Sequence, residues 1–142
     1  MEVSEVRKRI LDTLACAKSE AAARRARNAE VATAYERFLE TVAAPLVHQV
    51  ASILKVEKFL FAVHTPAGAV RLVSERSPED FLEIRLDTSG QSPQVVVHVE
   101  RVRGRETTVE ERPIRPGVLT EHLTGQDVLD EVAEALSVLI ER

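Results

Sequence analysis

The chain has few thiol and imidazole side chains, which often carry nucleophilic or metal chemistry. They are Cys16, His48, His64, His98 and His122. A catalytic thiol needs a nearby base, and no motif pairs Cys16 with a histidine. The histidines form no HExxH or HxxxH pattern, and the His-x-Glu start at His98 lacks the paired cysteines of a zinc deaminase. We therefore assign no catalytic residue, no metal ligand and no cofactor, and whether the protein is an enzyme stays open, leaning towards no.

Two of the histidines lie in predicted strands, where side chains from separate strands can meet across a sheet. His64, His98 and Arg85 together would form a pocket for a small ligand or a reaction between helix and sheet. The simpler interpretation is that the histidines are satisfied or exposed strand residues. Both alternatives stay open.

Carboxylates are dense around one predicted turn, from Glu75 to Asp87. A nuclease-like site would use Asp80, Glu83 and Arg85. The spacing does not match a typical nuclease motif, and arginine is a poor proton acceptor. The pattern is more typical of a solvated turn and a strand edge.

The sharpest basic cluster is Arg24, Arg25 and Arg27, which could contact nucleic acid or an acidic partner. No aromatic residue is interleaved, so base stacking is not expected. The simpler interpretation is a solvated helix face with pairs such as Glu20–Arg24. The net charge of −4 shows no basic excess, so nucleic acid is the less favoured partner.

The predicted strands carry many arginines interspersed with glutamates. The arginines are Arg71, Arg76, Arg85, Arg101, Arg103, Arg105, Arg112 and Arg115. Ion pairing between neighbouring strands is the simpler explanation. A surface for an acidic segment of a partner is the alternative.

Composition indicates an ordinary folded domain that spans the whole chain, 1–142. Hydrophobic residues make up 44% and charged residues 30% of 142 residues. No stretch approaches the roughly 18 apolar residues of a membrane helix, and the first residues show no apolar signal region. We therefore expect no association with a membrane. A single cysteine cannot form an internal disulfide, so we also expect a cytoplasmic location.

The first 44 residues contain neither glycine nor proline, and they predict a long helix. Such a helix continued to residue 56 would span roughly 80 Å, so we expect a kink or break near Pro45. Residues 1–30 are predicted to be a helical arm or oligomerisation segment with Val6, Ile10, Leu14 and Ala22 at its interface. A second apolar stripe is predicted to be core. It comprises Val31, Tyr35, Phe38, Val42, Leu46, Val50 and Ile53.

After residue 58 the apolar period becomes two, which predicts four or five antiparallel strands in a meander. The strands begin near Phe59 and end with a polar edge strand, 107–112. Thr124 and Asp127 predict a capping box at the start of a C-terminal amphipathic helix. The expected fold is therefore α+β, with the helices packed on one face of the sheet.

The element order is similar to that of small dimeric nucleoid-associated proteins and secretion chaperones, which also flank a small sheet with helices, and no motif identifies a family. Our first hypothesis is a non-enzymatic, homo-oligomeric interaction or adaptor protein of bacterial type, with a dimer favoured. The alternatives are a nucleic-acid-associated protein and a small-ligand binder or enzyme.

Overall fold

A computed structural model describes residues 1–90 and 92–140 and shows the predicted α+β fold. The helices are α1 (Val3–Phe38), α2 (Ala44–Val56) and α3 (Gly125–Ile140), with a π-helical turn at Leu39–Ala43 and a 3₁₀ turn at Thr120–His122. The strands are β1 (Phe61–His64), β2 (Ala69–Ser74), β3 (Phe81–Asp87), β4 (Gln94–Arg103) and β5 (Glu106–Pro113).

The chain divides into two compact units, residues 1–32 and residues 33–142. The first unit, which we call the arm, is helical from Val3 onwards, and Asn28 does not interrupt it. The second unit holds the end of α1, the sheet and the other helices. That the whole chain forms a single domain stays a prediction.

The predicted distortion near Pro45 is a π-helical turn. Proline has no N–H and crowds the carbonyl four residues earlier, here Thr41. The chain responds with one wide turn, in which Ala44 N–H donates to Leu39 O, five residues back. The helix therefore continues through the proline position without a reversal.

The wide turn changes which side chains of α2 are buried. The predicted stripe placed Ile53 in the core, but Ile53 is 57% exposed and Leu54 is buried. Ala43 and Val47 are fully buried, whereas Val42 and Leu46 lie at the edge of the core. A π turn holds one residue more than an α turn, and buried Ala43, Val47 and Leu54 each lie one residue beyond a predicted position, whereas Val50 does not move. Tyr35, Phe38 and Val50 are buried as predicted.

Helix α2 ends in a left-handed residue. Lys58 has φ 68°, and Phe59 N–H donates to Leu54 O at 2.8 Å while Lys58 N–H donates to Lys55 O at 3.0 Å. This is the bonding pattern of a Schellman motif, with lysine in the position that usually holds glycine. The turn directs the chain into β1, which begins at Phe61 rather than at Phe59.

The five strands form an antiparallel meander in the order β1-β2-β3-β4-β5. One face carries the core, in which Leu72, Leu82, Ile84 and Val97 pack with side chains of α1, α2 and α3. The predicted capping box starts α3, because Asp127 accepts from Thr124 N–H at 2.9 Å and Thr124 Oγ1 accepts from Asp127 N–H at 3.3 Å. The helices therefore cover one face of the sheet, and the other face, which we call the outer face, carries the polar side chains.

Candidate functional site

The arm exposes large apolar side chains along one side of its helix. Val3 is 83% exposed, and Val6, Ile10 and Leu14 are 45–53% exposed. At about 100° per residue these four positions fall within a sector of roughly 80°. Ala17 and Ala21 continue the same side. We call these six residues the arm stripe.

Ala22 is predicted to share an interface with Val6, Ile10 and Leu14, but the helical geometry places it on a different side. Ala22 lies about 160° around the helix from Val6 and about 120° from Ile10. Its neighbour Ala21 lies within roughly 20° of Ile10 and Leu14, and Ala21 is half-buried where Ala22 is exposed. The stripe therefore continues through Ala21.

The three arginines of the basic cluster spread around the helix. Arg24 and Arg27 lie about 60° apart, and Arg25 lies about 160° from Arg27. All three are exposed. Glu20 accepts a long hydrogen bond from the Cys16 thiol at 3.6 Å, and residues 1–90 show no ion pair between Glu20 and Arg24. The cluster is thus available to a partner, but it does not present a single basic face.

On the outer face, the strand register lines up charged side chains across the whole sheet. His64 on β1 pairs with Arg71, Arg71 with Glu83, Glu83 with His98, and His98 with Glu111 on β5. Side chains alternate along a strand, so these residues face away from core neighbours such as Ile84 and Val97. The predicted cross-strand ion pairing is confirmed for Arg71 and Arg85.

Six charged or titratable residues form one connected network, which we call the outer-face cluster: Arg71, Glu83, Arg85, His98, Glu100 and Glu111. Arg71 Nε lies 2.6 Å from Glu83, and Arg85 lies 3.7 Å from the same carboxylate. Arg85 also donates to Glu111 at 2.8 Å. Glu83 is only 5% exposed. The positive charges of Arg71 and Arg85 compensate its buried negative charge.

His98 lies at the centre of this cluster and is 7% exposed. Its Nε2 is 2.9 Å from Glu100 Oε1, and its Nδ1 is 3.0 Å from Glu111 Oε2. The Arg85 guanidinium lies 2.9 Å from the same Nδ1. The hydrogen bonds from Arg85 and His98 hold the pKa of the Glu111 carboxyl below its ordinary value. Both ring nitrogens therefore lie within hydrogen-bonding distance of a carboxylate.

The structure brings Arg85 and His98 together but keeps His64 apart. His64 and His98 share one register row with two strands between them, which is about 14 Å at ordinary strand spacing. All three residues lie on the outer face, so a pocket that used Arg85 and His98 would open there rather than between helix and sheet. Asp80, which the nuclease-like interpretation grouped with Glu83 and Arg85, has other partners. Its carboxylate accepts hydrogen bonds from Arg103 at 2.5 Å and from Val102 N–H at 2.8 Å.

One groove with polar walls lies between α2 and β1 and was not foreseen. His48, Lys55 and Glu75 rim it over a floor that includes Phe61 and Val63, with a volume of about 410 Å³. Its residues come from three separate segments, so no sequence spacing could reveal it. Among residues 1–90 and 92–140 no group of three or more His, Cys, Asp or Glu is arranged to hold a metal ion.

No protein-family model, no curated protein and no solved structure matches this chain. Within the described ranges, no helix combines the length and the apolar character that a membrane span requires. The arm stripe, the outer-face cluster and the groove are the features of the fold that could contact a partner or a ligand.

Proposed function

We propose that the protein is a non-enzymatic, homo-oligomeric interaction or adaptor protein that associates through its arm. The observation that carries this proposal is the exposure of Val3, Val6, Ile10 and Leu14 on one side of a helix. Contiguous exposed apolar side chains in folded proteins mark association surfaces, because their burial against a partner removes them from water. A second copy of the chain supplies a matching surface of the same kind.

The composition of the arm supports association. A helix gains most of its stability in a protein by packing an apolar face against another element. Within residues 1–32 the side chains are exposed except Ala21 and Val31, which are half-buried. A partner helix along the arm stripe would provide the packing that makes this helix persist.

The outer-face cluster supports a non-enzymatic role for the sheet. Its arginines and glutamates are paired with one another, and both nitrogens of His98 face carboxylates. Charged pairs between neighbouring strands stabilise a sheet. The cluster is better suited to holding the strands together. The lone cysteine is consistent with the cytoplasmic location that we include in the proposal.

Two alternatives use other surfaces. A nucleic-acid-associated role would use Arg24, Arg25 and Arg27, but their spread around the helix offers phosphates no continuous basic face. A small-ligand role would use the groove between α2 and β1 rather than His64, His98 and Arg85. Neither alternative explains the exposed apolar side chains of the arm.

Light scattering on the full chain tests the proposal. The wild type is expected to have the mass of a dimer, and Ile10→Asp with Leu14→Asp is expected to dissociate it, because two charges would be buried at the contact. The matched control places Ser19→Asp and Ala23→Asp at the same spacing on the opposite side of the helix. A wild type that stays monomeric, or a control that dissociates equally, would contradict the proposal.

A further inference from the structure

We infer that the arm stripe pairs antiparallel with the arm of a second copy, about a two-fold axis close to residue 12. The inference rests on the proposed function, because it concerns the orientation and register of that same association. It follows from the size and the charge of the residues that the helix of the arm brings to one side.

Five residues of the arm stripe, all except Val6, lie on a line of positions at alternating steps of four and three residues, the spacing that brings side chains to a two-helix contact. From the N-terminus the contact positions are Val3, Arg7, Ile10, Leu14, Ala17, Ala21 and Arg24. Val6 and Leu11 flank this line on its two sides. Two of the seven positions are therefore cationic, and two are alanine.

Parallel pairing would place every contact residue opposite its own copy. Arg7 would face the partner's Arg7, and Arg24 would face the partner's Arg24, so two layers would bring like charges together. Ile10 and Leu14 would form wide layers directly before the narrow layers of Ala17 and Ala21. The helices could not keep one separation along the contact, and close packing would be lost.

Antiparallel pairing about residue 12 removes both problems. Val3 then faces the partner's Ala21, and Ile10 faces the partner's Leu14. Arg7 faces the partner's Ala17, whose small side chain lets the arginine stem lie along the helix with its charge in water. Most layers combine a larger side chain with a smaller one, so the separation stays even over about 28 Å of helix.

The charge distribution along the arm favours the same arrangement. The overlap ends at Val3 and the partner's Ala21, so the basic cluster of Arg24, Arg25 and Arg27 lies outside it and does not face another basic cluster. Leu11 flanks the two-fold axis, where it meets the partner's Leu11. The exposed Leu11, at 51%, thus gains an apolar neighbour.

Disulfide trapping distinguishes the two orientations in the full chain. In a Cys16→Ser background, Arg7→Cys and Ala17→Cys are prepared as separate proteins and incubated in a thiol–disulfide buffer, each alone and both mixed. Antiparallel pairing brings position 7 next to the partner's position 17 and holds like positions roughly 15 Å apart. Disulfides need Cα atoms within about 7 Å, so we expect roughly tenfold more covalent dimer in the mixture than in either protein alone.

The outcomes separate this inference from the proposed function. Efficient cross-linking of either protein alone would show parallel arms and overturn the inference, while association through the arm would stand. A dimeric mass without any cross-link would show that the arms do not pair in this register, which also overturns it. A monomeric mass for all proteins, including the wild type, would overturn both.

Discussion

The guanidinium of Arg85 on β3 donates a 2.8 Å hydrogen bond to Glu111 on β5, across the strand that carries His98. Two strands that share no backbone hydrogen bonds are therefore joined by their side chains. The bond adds a side-chain contact to the backbone pairing with β4 that fixes the register of the polar edge strand β5, whose side chains contribute little to the core. It also makes Glu111 a shared partner of Arg85 and His98.

Removal of the Glu111 charge is expected to destabilise the fold modestly. Glu111→Gln should lower the free energy of unfolding by roughly 0.5–1 kcal/mol, because the pairs are partly exposed to solvent and salt. Urea denaturation measures this difference. The control is Glu110→Gln on the same strand, whose carboxylate lies 3.3 Å from Arg112. If both variants cost the same, the outer-face cluster has no special role in stability.

The low pKa of Glu111 predicts a loss of stability in acid. The folded carboxyl holds its proton less readily than the unfolded one, whose ordinary pKa is 4.5. The stabilisation is therefore present above pH 4.5 and is lost as the pH falls through the lower pKa of the folded state. Melting temperatures of the wild type and Glu111→Gln should differ at neutral pH and converge at low pH. A difference that does not change with pH would contradict this assignment.

Tyr35 is expected to ionise only when the protein unfolds. Its hydroxyl donates to the Gly68 carbonyl at 2.5 Å, and burial, followed by the charge of Glu83, raises the pKa of the phenol far above its ordinary 10.0. Stability is thus retained below the ordinary pKa and falls as the pH rises past it, since only the unfolded chain then loses the proton. Tyr35 is the single tyrosine and tryptophan is absent, so phenolate absorbance reports this residue alone. The prediction would be contradicted if phenolate absorbance rose at a pH where circular dichroism still shows the folded protein.

Lys58 is expected to be a site where glycine stabilises the protein. Its φ of 68° is unfavourable for a residue with a Cβ, and glycine adopts this conformation without that penalty. Lys58→Gly should therefore raise the free energy of unfolding by roughly 0.5–1 kcal/mol. Gln49→Gly, in the exposed middle of α2, should instead lower it by about 1 kcal/mol. Thermal denaturation of both variants against the wild type checks the opposite signs.

The periodicity of the chain determines most of its secondary structure. Steps of three and four predict α1 and α3, and steps of two predict four or five strands, of which the structure shows five. Thr124 with Asp127 predicts the capping box that the structure shows. These features depend on interactions between residues close in sequence. The local pattern also predicts a distortion at Pro45, because the missing N–H and the crowded carbonyl are properties of the proline itself.

The tertiary structure decides which of these residues meet. The π turn at Leu39–Ala43 exchanges Ile53 for Leu54 in the core, and no count of apolar residues reveals an extra residue in a turn. Strand register separates His64 from His98 and joins Arg85 to Glu111, although all four follow the same alternating pattern. The periodicity of a sequence indicates only which side of its helix or strand a side chain faces. Its neighbours on that side are chosen by the packing of elements far apart in sequence, and this packing alone created the groove between α2 and β1.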